Sequence, residues 1–285
     1  MATGLKKAVQ LRAMGPDDLS AAYELSREQQ WPHREKDWDR MLDLGQGVIV
    51  ESEGRIVGTT MWWTFGEDVA SIGMVIVSKD VQGQGLGRQL MNAALEQIGE
   101  RTVLLNATAE GLNLYRALGF ETVGSVYQHQ GAAFSVPIPE LIPNERVAPM
   151  KAGEIPDIVE LDRHATGLNR GRAVEYLCSY TQGVVLNRDG NQAGYALFRR
   201  FGRGYAIGPT VAPDIGGAKA LISHWLGSNA GMFCRLDVPD DSGLSGWLDE
   251  MGLPCVGRVT RMCRGTAPQA GVLARTFSLI NQALG

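Results

Sequence analysis

Between Val77 and Arg88 the chain reads VSKDVQGQGLGR, where an apolar run gives way to Gln82-Gly83-Gln84-Gly85-Leu86-Gly87 at the head of a helical pattern. No other segment limits the possible folds as much. The residues ahead, Ile72-Gly73-Met74-Val75-Ile76-Val77, suit a buried strand, and Gln89-Leu90-Met91-Asn92-Ala93-Ala94-Leu95 behind them put apolar side chains at helical spacing. Alternating glycines let the backbone approach a ligand closely, and the bare N–H groups of a helix N-terminus favour anionic oxygens. The segment reads as a phosphate or pyrophosphate cradle.

Two common cradles are excluded by the residues themselves. A P-loop needs Lys then Ser or Thr after its last glycine, and here Arg88-Gln89 follow. A dinucleotide fingerprint spaces its glycines G-x-G-x-x-G and closes the next strand on an acid, whereas these are G-x-G-x-G and the strand Val103-Leu104-Leu105-Asn106 ends in Asn106. The spacing does fit Q/R-x-x-G-x-G/A, with Gln82, Gly85 and Gly87 in the fixed places. In this the segment resembles the acetyl-CoA pyrophosphate loop of the GNAT acetyltransferase superfamily. Downstream, Leu114-Tyr115-Arg116-Ala117-Leu118-Gly119-Phe120-Glu121 reads as a short helix stopped by Gly119 in a left-handed cap. It resembles the second coenzyme A motif of the same superfamily, in the expected order behind the first.

Along the first half, the expected elements are a strand from Val9 to Met14, helices from Pro16-Asp17-Asp18 to about Glu28 and from Glu35 to Leu44, and strands at 47–52, 55–65 and 69–77. The cradle helix (85–100), a strand (103–106), a short helix (111–118) and strands near 121–128 and 132–136 follow. Val136-Pro137-Ile138-Pro139-Glu140-Leu141-Ile142-Pro143 suits neither a helix nor a central strand and reads as a linker.

Beyond the linker the pattern returns. Gly194-Tyr195 echoes Gly58-Thr59, Ile207-Gly208 echoes Ile72-Gly73, Leu236-Asp237 echoes Leu105-Asn106, and Met251-Gly252-Leu253 echoes Leu118-Gly119-Phe120. Such an echo indicates internal duplication. The second copy replaces the cradle with Ala212-Pro213-Asp214-Ile215-Gly216-Gly217-Ala218, which puts an acid where phosphate would sit, and Trp247 or Leu248 falls at the place of Tyr115. The expected fold is therefore α/β (α+β): two tandem GNAT-like domains, each a mixed, mostly antiparallel sheet flanked by helices. The boundaries are 1–136 for the first, 137–146 for a Pro-rich linker and 147–285 for a degenerate second domain. The whole chain resembles a bacterial tandem subgroup with an active N-terminal domain and a degenerate C-terminal one.

The resemblance implies an acetyl-CoA-dependent N-acetyltransferase that moves an acetyl group to an amine of a small molecule or peptide by direct attack on the thioester. The alternative is a non-catalytic acyl-CoA-binding sensor. In the resembled family the strand before the cradle splays from its neighbour, so backbone groups of Val75, Ile76 and Val77 would meet the pantetheine arm. Gln82, Gly83, Gln84, Gly85, Leu86, Gly87 and Arg88 would hold the pyrophosphate, with Asn106, Gly111 and Tyr115 completing the coenzyme set. Tyr115 would give its phenolic proton to the departing sulfur, and Asn106 would orient a water or the amide linkage.

Many superfamily members carry a Glu on the strand before the cradle, but Val69 to Val77 contains no carboxylate. The base would then be a water chain, a residue of the first two helices or one from the second domain. His33 is the first candidate, since an imidazole of pKa ~6.5 suits proton removal near neutrality; His129 and Asp37 follow. Trp62 and Trp63 must face opposite sides of their strand, and one of them, Trp31 or Trp38 would line the acceptor groove.

The formal net charge of −4 and the lack of a basic stripe argue against nucleic acid as the main partner. The four cysteines, all in the second half, lack metal-ligand spacing, so reduced thiols and no metal are expected. Met1 to Met14 lacks the apolar core of a signal peptide, and no apolar run approaches the length of a membrane span. A cytoplasmic protein without membrane contact is expected, with a homodimer left open. Asp162, Arg163, Arg170 and Arg172 read as a solvated helix face, or else as an independent ligand site in the second domain.

Overall fold

The computed structural model describes residues 9–285. Most of the stretch read as free of a signal peptide, residues 1–8, lies outside the described residues.

The first half runs β1 (Val9–Ala13), α1 (Leu19–Glu28), α2 (Glu35–Leu44), β2 (Gln46–Ser52), β3 (Arg55–Phe65), β4 (Val69–Val77), α3 (Leu86–Ile98), β5 (Thr102–Ala107), α4 (Leu112–Arg116) and β6 (Glu121–Ala132). Local chemistry sets several of these boundaries. The Asp18 carboxylate accepts from the Gly15 N–H at 2.8 Å and pairs with Arg12 at 2.8 Å, fixing the approach to α1. Asp37 accepts from the Arg34 N–H at 2.9 Å and so caps α2. Gly99 at φ +72° and Gly119 at φ +86° turn the chain out of α3 and α4 in the left-handed region that glycine tolerates.

The second half repeats that order: β7 (Glu145–Pro149), α5 (Ile155–Thr166), α6 (Gly171–Cys178), β8 (Gln182–Arg188), β9 (Asn191–Phe201), β10 (Gly204–Ala212), α7 (Ile215–Ser228), β11 (Phe233–Pro239), α8 (Ser245–Glu250) and β12 (Cys255–Arg264). One extra strand, β13 (Arg275–Ser278), closes the chain. The duplication extends to the irregularities. The β3–β4 ladder slips between Thr59 and Met61, and the β9–β10 ladder slips between Ile207 and Thr210.

The thirteen strands of the described residues belong to one sheet of order β1-β2-β3-β4-β5-β12-β6-β11-β10-β9-β8-β7, with β13 added on β10. The two halves therefore exchange their last long strands. β12 lies beside β5, with Thr260 opposite Ala107 and Arg261 opposite Asn106; β6 lies beside β11, with Gln128 opposite Asp237. The separate strand expected at 132–136 does not form. β6 ends at Ala132, the chain leaves the sheet at exposed Phe134 and the following prolines, and β12 takes the place beside β5.

One face of the sheet, here called the inner face, carries α1 and α2 from the first half and α5 and α6 from the second. Their apolar sides meet in one core that includes Trp38, Met41, Trp63, Ile158, Val174 and Tyr195. The outer face carries α3 and α4 over the first half, and α7 and α8 over the second, each pair with its own core. Asp162 and Arg170 are not on a solvated face. They form a bidentate pair at 2.8 and 3.0 Å with both side chains 1% exposed, and the Tyr195 hydroxyl donates to Asp162 at 2.5 Å. Arg163 is exposed and pairs with Glu160, while Arg172 donates to the Asp43 carbonyl.

Candidate active site

β4 and β5 run parallel and pair from Val69–Thr102 to Ile72–Leu105, where the ladder stops. β4 continues to Val77, so the edge of Val75-Ile76-Val77 that faces β5 has no strand partner among the described residues. On its other edge β4 is bulged against β3, and Met74 adopts φ +53°, a region L-residues rarely occupy. The Thr59 hydroxyl donates to the Met74 carbonyl at 2.8 Å and holds the bulge in place. A strained residue fixed by its surroundings, at the mouth of an opened ladder, marks this strand end as a candidate site.

The cradle sits directly after β4. Gly83 and Gly85 have φ +77° and +80°, and no side chain caps the N-terminus of α3. The Gln82 side chain turns back to donate to the Val77 carbonyl at 3.0 Å, which ties the loop to the strand end. Leu86 and Leu90 anchor the helix in the core, while Gln84 and Arg88 are exposed. A Cβ on Gly87 would meet Leu114 at 3.3 Å, so this glycine lets α3 pack against α4.

Tyr115 lies on α4 with 8% exposure, edge-on to Phe120. A Cβ on Gly111 would stand 2.6 Å from the Tyr115 ring, so Gly111 makes room for the phenol. Burial pushes the Tyr115 hydroxyl up to about 12, and it keeps its proton throughout the neutral range. Asn106, at the end of β5, donates from Nδ2 to the Gln282 carbonyl at 2.7 Å; its Oδ1 is buried without a partner among the described residues.

On the inner face the opening meets a cavity of about 230 Å³ lined by Trp31, His33, Met74, Asn106, Phe201 and Ala283, among others. His33 stands between the rings of Trp31 and Phe201 at 5.8 and 5.4 Å, with Nδ1 buried and unpartnered among the described residues. Desolvation, reinforced by the Arg235 charge, pushes its pKa down to about 4. The imidazole is therefore neutral at physiological pH, but it is a far weaker base than a free histidine. The other two base candidates are committed elsewhere. Asp37 is held by the Arg34 side chain and the Gly202 N–H. His129 is fully buried beneath α8, with ring nitrogens 2.8 Å from the Leu253 carbonyl and the Ser245 hydroxyl. Of the tryptophans weighed for the acceptor groove, Trp31 lines the cavity; Trp38, Trp62 and Trp63 are core.

Sequence reasoning missed the distal contributors. Phe201 and Arg235 come from the second half, and Asn281, Gln282 and Ala283 come from the segment after β13. A Cβ on Gly73 would stand 2.7 Å from that of Ala283, so Gly73 admits this segment. No local signal announces such partners, because their proximity is set by strand exchange.

The matching position of the second half is filled by the chain itself. β10 and β11 pair at Tyr205–Cys234 and Ala206–Arg235, and beyond that point β13 occupies the opening. It pairs with β10 at Val211–Thr276 and Ala212–Arg275, and the Leu279 N–H donates to the Asp237 carbonyl on β11 at 2.8 Å. At the head of α7, Asp214 accepts from the Gly217 N–H at 2.8 Å and takes the place an anion would need. Leu248, rather than Trp247, stands where Tyr115 does: Leu253 N–H donates to its carbonyl at 2.9 Å, as Phe120 does to Tyr115 at 3.1 Å.

Two family models, each describing an acetyltransferase (GNAT) domain, match residues 43–122 and 158–272. The chain belongs to the GNAT acetyltransferase superfamily and carries two such domains in tandem. It is 29% identical over 242 residues to YitH, an uncharacterised N-acetyltransferase of Bacillus subtilis, covering 83% of this chain and 84% of that one. It is 23% identical over 253 residues to the holothin acyltransferase of a Pseudoalteromonas species, covering 84% of each. Among solved structures, a Pyrococcus horikoshii protein assigned as an acetyltransferase superposes with a TM-score of 0.80 at 19% identity, covering 100% of this chain and 99% of that one. A tandem GNAT protein from the clavulanic acid biosynthesis pathway superposes with a TM-score of 0.64 at 15% identity, covering 90% and 98%. These likenesses support acyl transfer in general terms.

Proposed function

We propose that the protein transfers an acetyl group from acetyl-CoA to an amine of a small molecule or peptide, by direct attack of the amine on the thioester. The observation that carries this reading is the end of the β4–β5 ladder at Ile72–Leu105, with the uncapped turn of α3 on one side and the His33 cavity on the other. N–H groups from Gly83 to Arg88 hold the diphosphate, and the unpaired edge of Val75–Val77 receives the pantetheine arm. Acetyl-CoA supplies the activated acyl carbon; the chain orients it and manages protons.

Tyr115 gives its proton to the departing thiolate, a role its burial prepares by keeping the phenol protonated. His33 accepts the proton lost by the amine. With a pKa of about 4 it cannot strip an ammonium, so the acceptor enters neutral and loses its proton only once bonding to the acyl carbon has made the nitrogen acidic. The second half holds no acetyl-CoA in this reading, since β13 and Asp214 occupy the corresponding places. It serves as one wall of the acceptor cavity. No described helix is long and apolar enough to cross a membrane, and the four cysteines are free; a cytoplasmic setting accords with both.

The test is coenzyme A release across a panel of amines, with wild type and Tyr115→Phe compared. Turnover of the variant is expected to fall by about 10²–10⁴-fold with acetyl-CoA affinity retained. Saturable acetyl-CoA binding without turnover on any amine would replace the transferase by an acyl-CoA sensor.

A further inference from the structure

A second, larger cavity of about 310 Å³ lies on the inner face along the seam between the halves, on the far side of the segment Gln282–Gly285 from the acceptor cavity. Its floor is made by Ser71 of β4 opposite Leu104 of β5, and by Asn106 of β5 opposite Arg261 of β12, which strand exchange brings there. Three lining residues carry buried polar atoms without a hydrogen-bond partner among the described residues: Ser71 Oγ, Asn106 Oδ1 and Thr276 Oγ1. Ser71 is only 4% exposed. Buried polar atoms are nearly always paired with protein groups or ordered water, so three such atoms around one space mark it as a polar chamber that water or a polar ligand fills.

The charges lining this space do not cancel. Arg170 is saturated by Asp162 and by the carbonyls of Leu284 and Gly285. Arg275 donates to the Asp241 carbonyl at 2.5 Å and stands 3.8 Å from its carboxylate, which is largely solvent-exposed. Arg261 makes no ion pair and no side-chain hydrogen bond among the described residues, although it is half-buried. A guanidinium in that setting favours a planar anion that takes two parallel N–H bonds.

Asn106 adds a second requirement. Its Nδ2 must face the Gln282 carbonyl, because a carbonyl can only accept, and this leaves Oδ1 in need of a donor. A bare anion satisfies Arg261 but not Oδ1.

We propose that the seam cavity is a binding site for a small carboxylate that carries a hydroxyl or amino group on the neighbouring carbon. The carboxylate lies on Arg261, the adjacent donor reaches Asn106 Oδ1, and the hydroxyls of Ser71 and Thr276 turn to whichever oxygens remain. The site adjoins the acceptor cavity and shares Asn106, Gln282 and Ala283 with it, but its lining includes neither Tyr115 nor His33, and binding there does not require acetyl-CoA.

Titration calorimetry on the full chain without acetyl-CoA tests this, using lactate, glycerate and serine as probes and propionate as the analogue without the donor. Saturable binding is expected for at least one of the first three, with propionate about tenfold weaker or worse. Arg261→Met should abolish the binding, and Ser71→Ala, which removes a buried orphan and leaves the fold intact, should weaken it. Absence of saturation with all three probes overturns the proposal, as does equal binding of propionate. Affinity unchanged in Ser71→Ala and in a folded Arg261→Met also overturns it, by placing the bound probe elsewhere on the protein. Because no acyl donor is present, these outcomes are independent of whether the protein is a transferase.

Discussion

The side-chain amide of Asn106 donates to the carbonyl oxygen of Gln282 at 2.7 Å, across 176 positions of sequence. Gln282 in turn donates from its own amide to Asp237 at 2.9 Å, and Asp237 is paired with Arg235. The segment after β13 thus ties the filled cleft of the second half to the open one of the first. Asn106 is oriented by a residue that no reading of its own neighbourhood would name.

The cradle makes a prediction about backbone, not side chains. Gly85 sits at φ +80°, where an L-residue is strained by about 1–2 kcal/mol. Gly85→Val should therefore reshape the turn and weaken acetyl-CoA binding by about tenfold or more, read by calorimetry at a temperature where the variant, its melting point lowered by only a few degrees, is still folded. Unaltered affinity would remove the cradle from the coenzyme site.

His33 makes a prediction about pH. Its pKa is about 4 in the fold against 6.5 when free. Below pH 6.5 the unfolded chain takes up a proton that the folded chain refuses, so stability falls as pH drops toward 4 and is unaffected by this group above 6.5. The loss amounts to at most about 3 kcal/mol. His33→Gln should flatten the wild-type slope across that window in urea titrations, and an identical slope in the two proteins would contradict the shift. The same shift places the ionisation of His33 near pH 4 and not near 6.5, below the limb that protonation of the acceptor amine itself imposes on turnover.

The buried Asp162–Arg170 pair makes a prediction about folding. Asp162→Ala leaves Arg170 and the Tyr195 hydroxyl without their partner, a change worth about 3–5 kcal/mol. Asp162→Asn retains an acceptor for Tyr195 and should be milder. Denaturant midpoints decide it; a loss within experimental error for the alanine variant would mean the charge is compensated elsewhere.

Strand exchange makes a prediction about the isolated halves. A chain of residues 1–146 lacks β12, so β5 and β6 lose the strand between them and present open edges. It should aggregate when expressed alone and become soluble when co-expressed with 147–285. A soluble, cooperatively melting 1–146 fragment would show that β6 can return to β5.

The sequence by itself determined what depends on neighbours along the chain. The bounds of α2 at Glu35–Leu44 and the strands through β4 follow from periodicity and from acids and glycines at element ends. The cradle and the Tyr115 motif are equally local, since a turn and the helix behind it specify them within a dozen residues. The duplication was also legible, because bulges and helix stops recur at matched glycines.

Tertiary structure alone decided the rest. Whether β6 pairs with β5 or β11 depends on the competition between two like-patterned strands for the same edges, and alternation looks the same in either register. That choice brings Arg261 beside Asn106, puts Phe201 against His33 and sends β13 into the second cleft. Burial, too, is a property of the assembled core: it turned a histidine of ordinary pKa into a group near 4 and an apparently solvated Asp162 into the centre of a buried pair.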